Sequence, residues 1–147
     1  MLNKQKAFTL VEIITVMAIV SMLVSLAIVE GVKLRKLANE SNCQANLKAI
    51  ASGFEVYAAS HSGAYAENTE YSLQFLVNAG YLNADLVSIG QIGTFRYSIA
   101  SVWPGGYDIR ATASSSSLAD HNYQIVTGGI LRRSSVSGSG EEDFQDF

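Results

Sequence analysis

Hydrophobic and polar residues change their spacing along this chain of 147 residues. Residues 8–29 are almost wholly apolar, and Glu12 is the only charged residue among these 22. As an α-helix this stretch would be roughly 33 Å long, sufficient to cross a hydrocarbon core of about 30 Å. Further along, apolar residues recur at intervals of three and four, which indicates one buried helix face. They are Cys43, Leu47, Ile50, Phe54 and Tyr57. The pattern predicts one helix over about 8–59.

The second half of the chain has the period-two alternation of β-strands. Phe95, Tyr97 and Ile99 alternate with residues 96, 98 and 100, and the same alternation returns over 107–113. Between them, residues 103–106 (Trp-Pro-Gly-Gly) are a strong turn signal. A second, shorter hairpin is predicted from 123–126 and 130–131, on either side of two glycines. A short helix is predicted at 70–79, where Gly80 ends it.

These patterns predict the fold class. One apolar sheet face and one apolar helix stripe should pack together into a two-layer domain. We therefore predict an α+β protein in which a long N-terminal α-helix, with a transmembrane half and an amphipathic half, packs on a small antiparallel β-sheet head.

Composition argues against catalysis. Cys43 is the only cysteine, so the chain has no internal disulfide, and it lies on the helix stripe, where cysteine is usually a small hydrophobe. His61 or His121 would have to act as its base, and no catalytic motif accompanies them. No cluster has metal-ligand spacing. We predict no enzymatic activity and no cofactor.

Glu12 is the candidate functional residue of the apolar stretch. A carboxylate inside a membrane segment costs about 2.5–3.5 kcal/mol on insertion scales, so it is a functional suspect by default. Its partner would be a cation from another molecule at the same depth; alternatively, it reaches lipid headgroups near the surface. Thr15, Ser21 and Ser25 have two interpretations: they let helices approach closely, or they bond to their own backbone carbonyls.

Residues 6–12, Lys-Ala-Phe-Thr-Leu-Val-Glu, lead directly into the apolar helix. This arrangement resembles the class III signal of type IV pilins and type II secretion pseudopilins. The resemblance implies that a prepilin peptidase cuts between Ala7 and Phe8 and methylates the new amine of Phe8. It also implies that Glu12, the fifth mature residue, pairs with the N-terminal ammonium of a neighbouring subunit. It covers the first third of the chain, and Ala7 stands where most members have glycine.

The resemblance implies a structural subunit of a type IV pilus-like or type II secretion pseudopilus filament. The alternative is a minor pilin acting as a binding, adhesion or DNA-uptake module. Expected partners are other copies of the chain, other pilins or pseudopilins, the prepilin peptidase, the assembly platform with its ATPase, and the membrane. The chain would cross the cytoplasmic (inner) membrane once with its head outside, and then enter an extracellular or periplasmic filament.

The expected division of the chain follows from both arguments. A leader at 1–7 precedes a transmembrane, filament-core helix at 8–30 and its amphipathic continuation at 31–60. An α+β head at 61–133 and a flexible acidic tail at 134–147 follow. Removal of the leader's two lysines leaves eight Lys and Arg against 13 Asp and Glu, a net charge of about −5. No nucleic-acid partner is therefore expected, because such binders carry a basic patch.

Two features of the C-terminal half each have two possible interpretations. Major pseudopilins resemble this chain in size and bind calcium in a C-terminal loop, so calcium is a candidate ligand of the acidic residues near the C-terminus. These are Glu141, Glu142, Asp143 and Asp146. No EF-hand spacing accompanies them, and a solvated acidic tail is the alternative. Trp103, at the predicted hairpin tip, either contacts another subunit or cargo, or caps the hydrophobic core.

Overall fold

A computed structural model describes residues 8–65, 73–83, 91–136 and 144–146. In chain order, its elements are α1 (Leu10–Ser60), α2 (Gln74–Asn78), β1 (Gln91–Ile92), β2 (Phe95–Trp103), β3 (Gly106–Ala113), β4 (His121–Val126), β5 (Ile130–Ser135) and β6 (Gln145–Asp146). The chain divides into two compact units, Met1–Arg35 and Lys36–Phe147, and α1 contributes residues to both. The second of these is called the head unit below.

The part of α1 in the first unit is mostly apolar, and all of its residues are exposed. Each of its large hydrophobic side chains, from Leu10 to Leu34, is at least 47% exposed. Among the described residues, α1 is the one helix whose length and composition would allow it to cross a membrane, and its most apolar window has a mean hydropathy of 2.4. This agrees with the predicted transmembrane half.

The small polar residues of this apolar part bond to their own helix. The hydroxyl of Thr15 donates to the Val11 carbonyl at 2.9 Å. The hydroxyls of Ser21 and Ser25 donate to backbone carbonyls of the preceding turn, at 2.7 and 2.8 Å. These hydroxyls are therefore satisfied within their own helix, and close approach of a second helix at these positions stays a prediction.

In the head unit, one face of α1 is buried as the spacing predicted. Four members of the predicted stripe are at most 2% exposed: Cys43, Leu47, Ile50 and Phe54. The fifth, Tyr57, is half-buried and packs against this core. Val56, on another face of the same helix, is 51% exposed. The buried and exposed faces of the helix thus follow the pattern of its sequence.

Both helices are followed by a glycine with a positive φ angle, which L side chains rarely adopt. Gly63 has φ of 85°, and its N–H donates to the Ala58 carbonyl at 2.8 Å. Gly80 has φ of 78°, and its N–H donates to the Val77 carbonyl at 2.9 Å. The second helix, α2, is shorter than the predicted 70–79, and residues 70–72 lie outside the described part of the chain.

The six strands form one antiparallel sheet in the order β1-β2-β3-β4-β5-β6. β2 and β3 make the predicted hairpin, with the turn at residues 104–105. A β-bulge between Ile99 and Ser101 shifts the alternation within β2, because one extra residue reverses the faces beyond it. As a result Val102 is buried, and Trp103 at the hairpin tip is 45% exposed.

The C-terminal segment differs from the predicted flexible tail. Ser134 and Ser135 belong to β5, so the second hairpin is longer than predicted. Gln145 and Asp146 form β6, which pairs with β5, because the edge of β5 offers unpaired backbone groups to an extended segment. Residues 137–143 and 147 of the predicted tail lie outside the described residues.

The core of the head unit lies between the buried stripe of α1 and one face of the sheet. The ring of Phe54 stacks on that of Tyr107, with centroids 5.2 Å apart. The sheet contributes buried residues from three central strands: Phe95, Tyr97, Val102, Tyr107, Ile109, Ala111, Tyr123 and Ile125. A long N-terminal helix packed on an antiparallel sheet confirms the predicted α+β fold class.

We predict that Leu47→Ala lowers the free energy of unfolding of the head unit by about 2–5 kcal/mol, because it leaves a cavity in a fully buried site. Val56→Ala is the matched control, since it shortens an exposed side chain on the same helix and should change stability by less than about 0.5 kcal/mol. Near-UV circular dichroism of the detergent-solubilised chain during heating measures both. Equal melting temperatures for the two variants would contradict the assigned core.

Candidate functional site

The start of α1 is organised by two side chains, Thr9 and Glu12. Glu12 Oε2 accepts hydrogen bonds from the Thr9 backbone N–H at 2.8 Å and from the Thr9 hydroxyl at 2.7 Å. The Thr9 hydroxyl oxygen in turn accepts the Glu12 backbone N–H at 3.3 Å. The helix begins one residue after Thr9. This is a capping box, in which a threonine and a glutamate three residues later satisfy each other's backbone donors.

The capping box fixes where the Glu12 carboxylate lies. It is held in the first turn of α1, where the helix dipole favours negative charge. The described donors bind Oε2, so Oε1 is the oxygen that a donor from another molecule can approach. Phe8, whose amine would be released by cleavage, is 81% exposed. Of the predicted site residues, Phe8 and Glu12 are described, and Ala7 lies outside the described part of the chain.

Sequence analysis missed the part played by Thr9. A threonine followed three residues later by glutamate, directly before an apolar run, is a capping-box signature that the sequence alone displays. The geometry adds that both bonds from Thr9 reach the same carboxylate oxygen. Glu12 therefore has an intramolecular partner before any second molecule arrives.

A second carboxylate of α1, Glu40, lies inside the head unit and is only 8% exposed. Its Oε1 accepts the backbone N–H groups of Asp120 and His121 at 2.7 and 3.0 Å, and its Oε2 accepts the Tyr123 hydroxyl at 2.9 Å. The His121 imidazole lies 3.3 Å from the same carboxylate. Burial raises the pKa of the Tyr123 hydroxyl to about 12, so it remains a donor. Glu40 thus joins α1 to the start of β4.

A third carboxylate, Glu55, lies near the C-terminal end of α1 and joins it to other parts of the head unit. It accepts the hydroxyls of Tyr65 at 2.6 Å and Tyr107 at 3.0 Å, and the Gly128 N–H lies 3.4 Å away. The hydrogen bond from Tyr65 is the main cause that lowers the pKa of Glu55. Burial, together with Glu55, raises the pKa of Tyr65 to about 12. Through these hydrogen bonds Glu55 has a structural role, because it connects α1 to Tyr65 and to the sheet.

The candidate nucleophile Cys43 and the candidate bases His61 and His121 make packing and polar contacts within the head unit. Cys43 is buried, and its burial raises the pKa of the thiol to about 12, so the reactive thiolate is scarce at neutral pH. His121 contacts Glu40, and the ring of His61 stacks on Tyr57 with centroids 4.0 Å apart. Cys43 thus has the packing role predicted from its place on the stripe.

Of the four acidic residues proposed as calcium ligands, the structure describes Asp146. Asp146 Oδ1 accepts a hydrogen bond from Arg132 Nε at 2.6 Å, so its carboxylate already has a cation partner. Within the described ranges, no three His, Cys, Asp or Glu side chains lie close enough to hold a metal ion. Glu141, Glu142 and Asp143 lie outside those ranges. A calcium site in the C-terminal segment stays a prediction.

Comparison with known protein families finds the prokaryotic N-terminal methylation motif at residues 2–28. The matched region contains Ala7, Phe8 and Glu12 together with most of the apolar part of α1. A search of curated proteins finds no match, and neither does a search of solved structures. The motif supports a prepilin-like class III signal and indicates a type IV pilin-like precursor. With the exposed apolar helix, it fits a membrane-anchored pilin.

We predict that Thr9→Val loosens the first turn of α1, because valine supplies neither the hydroxyl donor to Glu12 nor the acceptor for its N–H. Loss of such a cap costs about 0.5–2 kcal/mol, so the amides of residues 10–13 should exchange hydrogen roughly 2- to 30-fold faster in detergent. Thr9→Ser is the control that keeps the hydroxyl and should exchange like the native chain. Unchanged exchange in Thr9→Val would argue against the capping box.

We predict that Glu55→Gln destabilises the head unit at neutral pH and that its deficit narrows in acid. The pKa of Glu55 is lowered on folding, so its stabilisation is present above the ordinary value of 4.5 and is lost as the pH falls through the lower folded-state pKa. Thermal unfolding of the two chains between pH 7 and pH 3 measures this difference. Glu30→Gln, on the exposed part of the same helix, should follow the native curve. A pH-independent deficit for Glu55→Gln would contradict the assignment.

Proposed function

We propose that this chain is a structural subunit of a type IV pilus-like or type II secretion pseudopilus filament. The observation that supports this most directly is the N-terminal methylation motif, followed by an exposed apolar helix that carries one carboxylate in its first turn. In this proposal the prepilin peptidase cuts between Ala7 and Phe8 and methylates the Phe8 amine. The subunit waits in the cytoplasmic membrane with the head unit outside.

The proposed assembly step joins the Glu12 carboxylate of one subunit to the Phe8 ammonium of another. Lipid tails are as apolar as the side chains of α1, so moving from lipid to a bundle of identical helices gains little from the hydrophobic effect. The favourable terms are helix packing and the ion pair, which is strengthened by the low dielectric of its surroundings. The capping box supports this step, because it holds Glu12 at the helix end with Oε1 open to a donor.

The proposed partners are further copies of the chain, other pilins or pseudopilins, the prepilin peptidase, and the assembly platform with its ATPase. The work of the protein is polymerisation, so the proposal contains no catalytic step and no cofactor. A net charge of about −5 after leader removal speaks against nucleic acid as a ligand of the subunit. The filament would lie in the periplasm or outside the cell.

A second candidate is a minor pilin whose head unit binds a surface or another molecule. The observation in its favour is Trp103, which is 45% exposed at the tip of the β2–β3 hairpin. Exposed tryptophans are enriched where proteins bind partners. If this alternative holds, Trp103→Ala will impair binding or adhesion while filament yield stays normal. A structural subunit predicts that deletion of the chain removes the filament itself.

We predict that Glu12→Gln abolishes or strongly reduces filament yield but leaves membrane insertion and cleavage before Phe8 intact. Glutamine retains an oxygen that can accept the Thr9 bonds, so this change removes the charge while keeping the cap. Glu30→Gln is the matched control, because it removes an exposed glutamate of the same helix outside the apolar segment.

The measurement needs co-expression with the peptidase and the assembly machinery. The amount of subunit in sheared filaments reports assembly, and mass spectrometry reports whether the chain begins at a methylated Phe8. Normal filament yield in Glu12→Gln would contradict the proposed ion pair. A native chain that still begins at Met1 would contradict the proposed cleavage.

A further inference from the structure

Trp103 is a half-exposed aromatic side chain on the face of the sheet that is turned away from α1. It pairs in register with Gly106, and the neighbouring pair, Val102 and Tyr107, is buried in the core. Successive residues of a strand point to opposite faces, so Trp103 lies on the outer face of the sheet. Of its two interpretations from the sequence, this position favours contact with another molecule.

The backbone of the β2–β3 turn supports the Trp103 ring. A Cβ atom added to Gly105 would lie 3.4 Å from Trp103 Nε1. One added to Gly106 would lie 2.9 Å from Trp103 Cζ2 and would overlap Thr127 Oγ1. The indole therefore lies against the backbone of two glycines, in space that any other residue at position 106 would fill with its side chain.

The turn that carries this ring is itself anchored to the rest of the head unit. The Pro104 carbonyl accepts the Tyr65 N–H at 3.1 Å. The Tyr107 N–H donates to Thr127 Oγ1 at 2.8 Å. A ring held in this way loses little freedom when a ligand stacks on it, and such preorganisation favours binding.

Hydrogen-bonding side chains lie beside the ring on the same face. Ser101 and Asp108 form the pair two residues along each strand from Trp103, a distance of roughly 7 Å. Asp108 accepts hydrogen bonds from Arg110 Nη2 at 3.2 Å and from Gln124 Nε2 at 2.8 Å, so these planar groups fix each other. The Arg110 side chain remains 42% exposed. An aromatic surface thus adjoins polar groups of fixed orientation.

The charges of this site indicate the class of its ligand. The carboxylate of Asp108 and the guanidinium of Arg110 form an ion pair, so their charges cancel beside Trp103. A charged ligand gains little from such a pair. A neutral ligand with an apolar face and several hydroxyls fits better, because carboxylate oxygens accept hydrogen bonds and guanidinium N–H groups donate them.

We propose that Trp103, together with Ser101, Asp108 and Arg110, binds one ring of a neutral sugar chain. The C–H face of the sugar stacks on the exposed face of the indole. Its hydroxyls donate to Asp108 and accept from Arg110. All of these residues belong to one head unit, so the site does not depend on filament formation and is tested separately from it.

The test uses the fluorescence of Trp103, which is the only tryptophan of the chain and reports on this site directly. The full chain is kept in a detergent without a sugar headgroup. It is titrated with neutral trisaccharides of glucose, N-acetylglucosamine and mannose, and with tetramethylammonium chloride as a cationic probe for the aromatic ring. Emission wavelength and quenching by acrylamide are recorded at each concentration.

We expect at least one of the sugars to cause a saturable blue shift and reduced quenching, because a stacked sugar ring removes water and quencher from the indole. Asp108→Ala should weaken this binding several-fold. Thr112→Ala, at an exposed position farther along β3, is the control and should bind like the native chain. Trp103→Ala removes an exposed ring, so loss of the sugar's saturation-transfer NMR signal in this variant tests the site independently of Asp108.

Three results would overturn the proposal. The first is the absence of a response to every sugar at about 10 mM, where even a millimolar complex is largely formed. The second is a response to tetramethylammonium alone, which would assign the ring to cations. The third is a blue shift that depends only on the protein concentration, which would assign the ring to a contact between copies of the chain.

Discussion

The burial of one stripe of α1 against the sheet is the interaction on which the head unit depends. The six-stranded sheet has an apolar face, and the buried stripe of α1 packs against it. Each large side chain buried there contributes roughly 1.5–3 kcal/mol. The stacked rings of Phe54 and Tyr107 lie at this interface, 5.2 Å apart. Helix and sheet therefore stabilise each other.

Three carboxylates of the same helix show how local surroundings decide the role of one residue type. Glu40 and Glu55 lie where the head unit offers backbone N–H groups and tyrosine hydroxyls, so they fasten α1 to the sheet. Glu12 lies where the surrounding side chains are apolar, and its described donors come from Thr9 alone. A carboxylate with an open oxygen in an apolar setting gains most from a cation supplied by another molecule.

The first unit differs from the head unit in the exposure of its apolar side chains. Its large apolar side chains are exposed within the described chain, and none of its most apolar window is buried. Such a surface needs lipid or other helices around it. The methylation motif at residues 2–28 covers most of the same stretch, so the motif and the exposed apolar side chains of the described chain coincide.

The local pattern of the sequence was sufficient for α1, the buried stripe, the β2–β3 hairpin and the helix-ending glycines, because periodicity and turn chemistry act between near neighbours. The resemblance at residues 6–12 could likewise be recognised from the sequence. The capping box of Thr9 and Glu12 could also have been recognised from the sequence, although it was missed. Only the tertiary structure decided the bulge in β2, the donors of Glu40 and Glu55, and the pairing of Gln145 and Asp146 with β5. Those features join residues that are far apart in the chain or depend on strand register. The local spacing of apolar and polar residues specifies neither long-range contacts nor register.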